Sequence, residues 1–165
     1  AGLMPSDRIF VSLGTNLWAF VLPAGMHLVV PVQREVALLD SPHNEIVRFR
    51  LIPYSVASGA ELSAEQAKKL LLQAYPGAVI LDTFSMAANG HRGPAFDAEW
   101  EGLGGQTRRA RVAFIPSQGG ILEFSASGDC RDFGSCQRHL ATVMLTFRAA
   151  DAQGKLSLPI LSDKI

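Results

Sequence analysis

Alternating apolar and polar residues between positions 94 and 148 constrain the fold of this chain more than any other feature. Three segments, 95–101, 107–115 and 121–127, alternate with a period of two and are separated by glycine-rich turns. Because successive side chains of a strand point to opposite faces of a sheet, this pattern predicts three consecutive antiparallel strands.

The apolar residues of these three segments predict which face of each strand points inward. We expect the inward residues to be Phe96, Ala98 and Trp100, then Ala110, Val112 and Phe114, then Leu122, Phe124 and Ala126. The charged residues between them would then face outward, where acidic and basic side chains of neighbouring strands pair favourably.

Two helices are predicted from periodicity and capping signals. After the three strands, an apolar stripe at helical spacing indicates a helix that begins near Ser135, with buried residues Cys136, Leu140, Val143, Met144 and Phe147. Earlier in the chain, Ser63 and Gln66 form a capping-box pattern. A stripe that includes Ala67 and Leu71 follows, and the pair Pro76-Gly77 ends this helix.

The remaining segments predict further strands and one domain. Extended patterns cover residues 17–22, 26–32, 34–39, 46–52 and 79–87, and residues 89–94 read as a loop. With 165 residues and 48% hydrophobic content, the chain has enough apolar side chains for one core. We assign residues 1–16 to an N-terminal tail, 17–150 to a single α+β domain, and 151–165 to a C-terminal tail or edge strand.

Charge and hydropathy exclude two classes of partner. Fifteen basic residues balance fifteen acidic ones, so the chain has no long-range field that attracts nucleic acid. The most apolar segment, residues 17–32, is interrupted by Pro23, Gly25 and Pro31 and lacks the roughly 20 uninterrupted apolar residues of a membrane span. We therefore predict no nucleic-acid partner and no transmembrane segment.

The only cysteines, Cys130 and Cys136, lie close together in sequence. In a continuous helix their Cα atoms would be about 9 Å apart, beyond the ~7 Å limit for a disulfide. A bridge therefore requires an irregular turn, for which Gly128 and Gly134 are suitable. A structural disulfide, two half-buried thiols and a redox-active pair stay open as alternatives, although catalytic dithiols are usually separated by only two residues.

The compartment follows from the state of these cysteines. A disulfide between Cys130 and Cys136 would indicate an oxidising compartment. We therefore expect an exported protein, periplasmic or lipoprotein-anchored, with a cytoplasmic location as the alternative.

Charged residues of the strands form the main candidate binding site. Its members are Asp97, Glu99, Glu101, Arg109 and Arg111, with Arg48 and Arg50 as candidates to extend it. One interpretation is a sheet face held by paired charges, and the other is a polar groove that binds a peptide or a small charged ligand. Carboxylates on a solvated strand keep near-normal acidity, so we expect no catalytic role for them.

The histidines give no metal or catalytic pattern. The four histidines are scattered without metal-ligand spacing, so no metal site and no cofactor are predicted. His91 and Arg92, in the predicted loop at 89–94, are added as binding candidates. Cys136 and His139 are spaced to share a helical face, but a thiol nucleophile also needs an orienting group and an oxyanion site.

A family resemblance adds to this interpretation. The sequence Phe-Val-Leu-Pro-Ala-Gly at residues 20–25 precedes the mid-chain helix, the three strands and a closing helix that ends in Thr146-Phe147. This order resembles the superfamily of the photosystem accessory subunit PsbP and the Ran-binding Mog proteins, which includes bacterial DcrB-like proteins. The resemblance covers residues 17–148 and implies an α/β/α sandwich, a central antiparallel sheet flanked by helices. It also implies an accessory or adaptor role, and it carries over no catalytic motif.

Three functional hypotheses follow. We expect a non-enzymatic accessory or adaptor protein that binds a partner protein through one sheet face or through residues 89–94. The alternative is a small-ligand carrier or enzyme with a cleft between sheet and helix, lined by Trp100, Met86 and Phe124. The third hypothesis is a thiol redox protein that uses the two cysteines.

Overall fold

The computed structural model describes residues 8–32, 35–40, 45–53, 62–117, 119–129 and 133–156. The strands within these ranges are β1 (Arg8–Leu13), β2 (Asn16–Val21), β3 (His27–Val32), β4 (Glu35–Asp40), β5 (Glu45–Pro53), β6 (Val79–Ala88), β7 (His91–Glu101), β8 (Thr107–Ser117), β9 (Gly120–Asp129) and β10 (Arg148–Ala150). The helices are α1 (Ala64–Ala74) and α2 (Phe133–Thr146).

The strands pair antiparallel in two sheets. A seven-stranded sheet has the order β3-β4-β5-β9-β8-β7-β6, and a three-stranded sheet has the order β1-β2-β10. The predicted α+β class, with a mostly antiparallel sheet and two helices, is confirmed. The predicted meander corresponds to β7, β8 and β9, which lie next to one another in the larger sheet.

Both helices form where local signals predict them. At the start of α1 the Gln66 backbone N–H donates to Ser63 Oγ at 3.1 Å, and the Ser63 N–H donates to Gln66 Oε1 at 3.2 Å. This reciprocal pair satisfies two amide groups that the first helical turn leaves free. Helix α2 begins at Phe133, slightly before the predicted start, and every residue of its predicted stripe is buried.

Each face of the seven-stranded sheet packs against a different helix. We call the first the α1 face, where Ala67 and Leu71 of α1 cover a cluster formed by Ile52, Phe96, Ala98, Ala110, Val112, Phe114 and Ile121. We call the second the α2 face, where α2 covers a cluster that includes Val47, Phe49, Ala113, Leu122, Phe124 and Ala126. The three-stranded sheet also packs over the α2 face, because the ring of Phe20 lies 5.2 Å from that of Phe49.

The predicted α/β/α sandwich is therefore confirmed only in part. One layer contains α1, but the other combines α2 with a small sheet. Residues 8–13, assigned from the sequence to a tail, form β1, and β2 begins at Asn16. A bridge between Ala150 and Leu156 continues the chain beyond β10, and residues 157–165 lie outside the described part.

The three central strands do not share one inward face. The inward residues predicted for β7 and β8 face α1, whereas Leu122, Phe124 and Ala126 of β9 face α2. The prediction was wrong because it assumed one covered face, while these strands are covered on both. Asp97, which we expected to be outward, is consequently only 9% exposed.

The predicted loop at 89–94 is a tight turn. Asn89 and Gly90 alone connect β6 to β7, with φ angles of 52° and 81°. Two consecutive positive φ values suit the Asn-Gly pair in a two-residue hairpin, so His91 to Pro94 belong to β7 instead of a loop. The loop prediction was wrong because the presence of Gly93 and Pro94 suggested a longer irregular segment.

Candidate functional site

The structure separates the charged residues that the sequence analysis grouped together. Asp97 lies opposite Arg111 on the α2 face. Arg48 and Arg50 alternate along β5 with Val47 and Phe49, which face α2, and so lie on the α1 face. The prediction that Arg48 and Arg50 extend the array was wrong, because the two groups occupy opposite sides of one sheet.

On the α2 face, arginines and carboxylates of β7 and β8 satisfy one another. Arg111 binds Asp97 with two hydrogen bonds, Nε to Oδ1 at 2.8 Å and Nη2 to Oδ2 at 2.9 Å. Its guanidinium carbon lies 4.5 Å from the ring centre of Phe84. Arg109 Nη2 binds Glu99 Oε1 at 3.0 Å. This geometry favours the interpretation of the array as paired charges that hold the hairpin together.

On the α1 face, Arg48 and Arg50 lie in a surface cleft of about 320 Å³. We call it the arginine cleft, and its walls are Glu35, Arg48, Arg50, Gln73, Ala74, Tyr75, Glu123 and Ser125. It lies where the end of α1 meets β4, β5 and β9. Sequence reasoning identified the two arginines but missed the residues that α1 and β9 contribute.

One of the two arginines is neutralised by its neighbours. Arg50 Nη2 lies 2.8 Å from Oε1 of Glu123, whose residue is only 6% exposed, and Glu35 lies opposite Arg50 on β4. Partial burial by itself lowers the pKa of the Arg50 guanidinium, but the hydrogen bond and charge of Glu123, with the charge of Glu35, raise that pKa above its ordinary value. Arg50 is thus a permanently charged member of a carboxylate-arginine-carboxylate row.

The second arginine has no such neighbour. Arg48 lies between Ala37 of β4 and Ser125 of β9, neither of which is charged. Its Nη2 donates to Tyr75 Oη at 3.5 Å, and no carboxylate in the described part of the chain lies within ion-pair distance of it. The Tyr75 ring is held 4.6 Å from that of Trp100. The guanidinium of Arg48 is therefore positioned in the cleft with its charge uncompensated.

A buried carboxylate connects β5 to α2. Glu45 is 2% exposed and accepts hydrogen bonds from Ser135 Oγ at 2.9 Å, while its other oxygen lies 2.7 Å from His139 Nδ1. Ser135 and His139 both approach the carboxylate, and the serine hydroxyl donates to Glu45. The set thus lacks the hydroxyl-to-imidazole bond that activates a nucleophile and has the form of a structural clasp.

Replacing Glu45 with alanine is expected to lower the free energy of unfolding by about 2 kcal/mol, because a buried serine hydroxyl and a histidine lose a charged acceptor. The measurement is urea denaturation followed by circular dichroism. Glu99→Ala is the matched control, since its pair with Arg109 is about one-third exposed on each side and such pairs contribute less than about 1 kcal/mol. Equal losses in the two variants would contradict the clasp.

The cysteine predictions are only partly addressed. Cys136 is buried among the core residues of α2 and is 2% exposed. Cys130 lies outside the described residues, and the described part of the chain offers no support for a disulfide. The Cys130–Cys136 bridge therefore stays a prediction.

The other candidates occupy different places. Arg92 is exposed on β7 and donates to Ser85 Oγ at 2.9 Å, and His91 lines a second cavity, between the two sheets. The predicted ligand cleft was wrong, because Trp100 packs on the α1 face whereas Met86 and Phe124 belong to the α2 face. Alternation placed these residues correctly on their own strands, but it did not reveal that the strands use opposite faces.

Two searches of the described residues gave negative findings. No helix in these ranges is long and apolar enough to cross a lipid bilayer. No group of three or more His, Cys, Asp or Glu side chains within the same ranges is arranged to hold a metal ion.

Comparison with solved structures confirms the resemblance at the level of the fold. The chain is similar to cyanobacterial PsbP (CyanoP) from Synechocystis sp. PCC 6803, with 14% identity, a TM-score of 0.55, and coverage of 90% of this chain and 96% of that one. It is similar to LpqN of Mycobacterium tuberculosis, with 13% identity, a TM-score of 0.55, and coverage of 87% and 91%.

A third similar structure is larger. A protein from Bacteroides thetaiotaomicron matches with 10% identity and a TM-score of 0.56; the match covers 95% of this chain and spans 55% of that one. No protein-family model and no curated protein matches the sequence. The fold is thus that of PsbP-like proteins, and at these identities the likeness concerns the fold alone.

Proposed function

We propose that this chain is an exported accessory protein that binds a partner protein at the arginine cleft and catalyses no reaction itself. The observation that carries the proposal is Arg48, whose guanidinium lies in the cleft with no carboxylate partner in the described part of the chain. An uncompensated arginine in a concave site is a typical anchor for a protein partner, since arginine is enriched among the residues that dominate binding energy.

The chemistry of the cleft favours one carboxylate from the partner. A planar guanidinium donates two parallel hydrogen bonds to a carboxylate, which makes such contacts strong and geometrically specific. Arg50 is already neutralised by Glu123 and Glu35. The two acidic side chains also repel a highly charged anion, so the cleft accepts a single acidic group beside Arg48 and the Tyr75 hydroxyl.

The absence of catalysis is proposed from positive contacts. Asp97 and Glu99, the paired carboxylates with the spacing for acid–base work, are each bound to an arginine. A carboxylate held in this way is stabilised in its ionised form and is a poor proton donor. Both side chains are thereby assigned to structure.

Export is proposed from the expected disulfide and from fold likeness. LpqN, one of the similar structures, is described as involved in cell envelope biogenesis. Fractionation of cells that carry a tagged full-length protein tests this part of the proposal, and recovery only with cytoplasmic markers would contradict it.

The binding proposal is tested by charge reversal in the cleft. Immobilised wild-type protein and the Arg48→Glu variant are compared for proteins retained from an envelope extract of the source cells. We expect a specific protein that wild type retains to be lost from Arg48→Glu by at least about tenfold, since like charges at an interface cost several kcal/mol.

The matched control is Arg92→Glu, which reverses an exposed arginine of β7 outside the cleft. It is expected to retain the partner as wild type does. A partner that binds both variants equally, or loses affinity for both, would contradict the assignment of the cleft.

A further inference from the structure

A second cavity lies between the two sheets, apart from the arginine cleft. Its volume is about 400 Å³. We call it the inter-sheet cavity, and its walls are Asn16 and Trp18 of β2, Asn89 and His91 beside the β6–β7 turn, Pro116 and Ser117 of β8, and Ala149 of β10. This size is within the usual range of small-molecule sites.

The indole of Trp18 is the unusual feature of this cavity. Trp18 is 3% exposed, and its Nε1–H has no hydrogen-bond acceptor. The ring is fixed by stacking on Phe147, with ring centres 4.9 Å apart. Buried donors are nearly always paired in folded proteins, so an unpaired one in a cavity wall indicates an acceptor that is supplied from elsewhere.

Further donors line the same cavity. Asn89 Oδ1 accepts a hydrogen bond from the Ala149 backbone N–H at 3.2 Å, which identifies the oxygen and leaves the amide NH₂ as a donor group. No described residue accepts a hydrogen bond from that NH₂ group or from the NH₂ of Asn16. The walls contain no aspartate or glutamate, and His91 is their only ionisable side chain.

We propose that the inter-sheet cavity binds a small organic carboxylate. Its oxygen atoms accept from the Trp18 indole and the two asparagine amides, while Pro116, Ala149 and the Trp18 ring contact a short apolar chain. A carboxylate suits a wall of donors that lacks negative charge, and an ammonium compound does not. This site is independent of the arginine cleft and of the partner proposed for it.

Tryptophan fluorescence tests the site directly. The chain has two tryptophans, so Trp100→Phe leaves Trp18 as the only reporter. We expect a saturable change in its emission when sodium butyrate is titrated across the millimolar range. Butyramide is expected to bind more weakly, and butylammonium chloride and sodium chloride to have no saturable effect.

A variant in the cavity wall locates the binding. Asn16→Asp in the Trp100→Phe background places a like charge in the cavity and is expected to weaken butyrate by at least about tenfold. The thermal midpoint of each variant verifies folding, and the indole N–H resonance of Trp18 in the otherwise wild-type protein is expected to shift with butyrate. Equal responses to butyrate and butylammonium, no saturable response, or saturation that Asn16→Asp leaves unchanged would each overturn the proposal.

Discussion

Replacing Phe147 with alanine is expected to lower the free energy of unfolding by about 4 kcal/mol, because deleting a fully buried aromatic ring removes its burial energy and leaves a cavity. Phe147 is 0% exposed. Its ring centre lies 4.9 Å from Trp18, 5.2 Å from Phe49 and 4.9 Å from Phe124. The ring thus contacts the three-stranded sheet and two strands of the larger sheet at once, just beyond the end of α2.

Urea denaturation followed by circular dichroism measures this loss. Leu145→Ala is the matched control, since Leu145 is 71% exposed and surface substitutions usually change stability by less than about 0.5 kcal/mol. A loss below about 1 kcal/mol for Phe147→Ala would contradict the central position given to this ring.

Replacing Gly93 with alanine is expected to lower the free energy of unfolding by about 3 kcal/mol, at the upper end of the cost of overpacking. A Cβ atom at Gly93 would lie 1.8 Å from the backbone oxygen of Phe114. That oxygen belongs to β8, so the backbones of β7 and β8 must separate to admit a methyl group. A flexible side chain can rotate away from such a clash, but a paired strand cannot.

Gly119→Ala is the control for this second prediction. A Cβ atom there would meet only Asn16 Nδ2 at 3.6 Å, an ordinary contact. The thermal midpoint of Gly119→Ala is expected to stay near that of wild type, while Gly93→Ala unfolds at a clearly lower temperature. Similar midpoints for the two variants would contradict the close approach of β7 and β8.

The two proposed sites can be tested separately. The arginine cleft lies on the α1 face beside β5, whereas the inter-sheet cavity lies between the two sheets. Distant residues without shared partners act additively. Arg48→Glu should therefore leave the butyrate response of Trp18 unchanged, and Asn16→Asp should leave partner binding unchanged.

Features that depend on neighbouring residues were predictable from the sequence. The reciprocal hydrogen bonds of Ser63 and Gln66 join residues within one turn, so the start of α1 followed from two letters. The buried stripe of α2 likewise followed from helical spacing. The same local logic was available for Asn89-Gly90, and the hairpin was missed only because the following glycine and proline were given more weight.

The candidate sites depended on long-range contacts instead. Arg48 and Arg50 were identified, but Tyr75 reaches Arg48 from the end of a helix that begins after a separate segment of the chain. Trp18 was predicted to be an ordinary core aromatic, and nothing in its neighbours indicated an indole without an acceptor.

The sequence by itself determined the secondary structure of the described central segments, the antiparallel class and which residues share a face of one strand, because these depend on local backbone geometry and side-chain alternation. Only the tertiary structure decided which face of each strand meets which helix, that residues 8–13 join β2 and β10 in a second sheet, and that the charged residues divide into two groups. The physical reason is that alternation defines two faces but does not label them. The label comes from layers brought together by residues far apart in the chain.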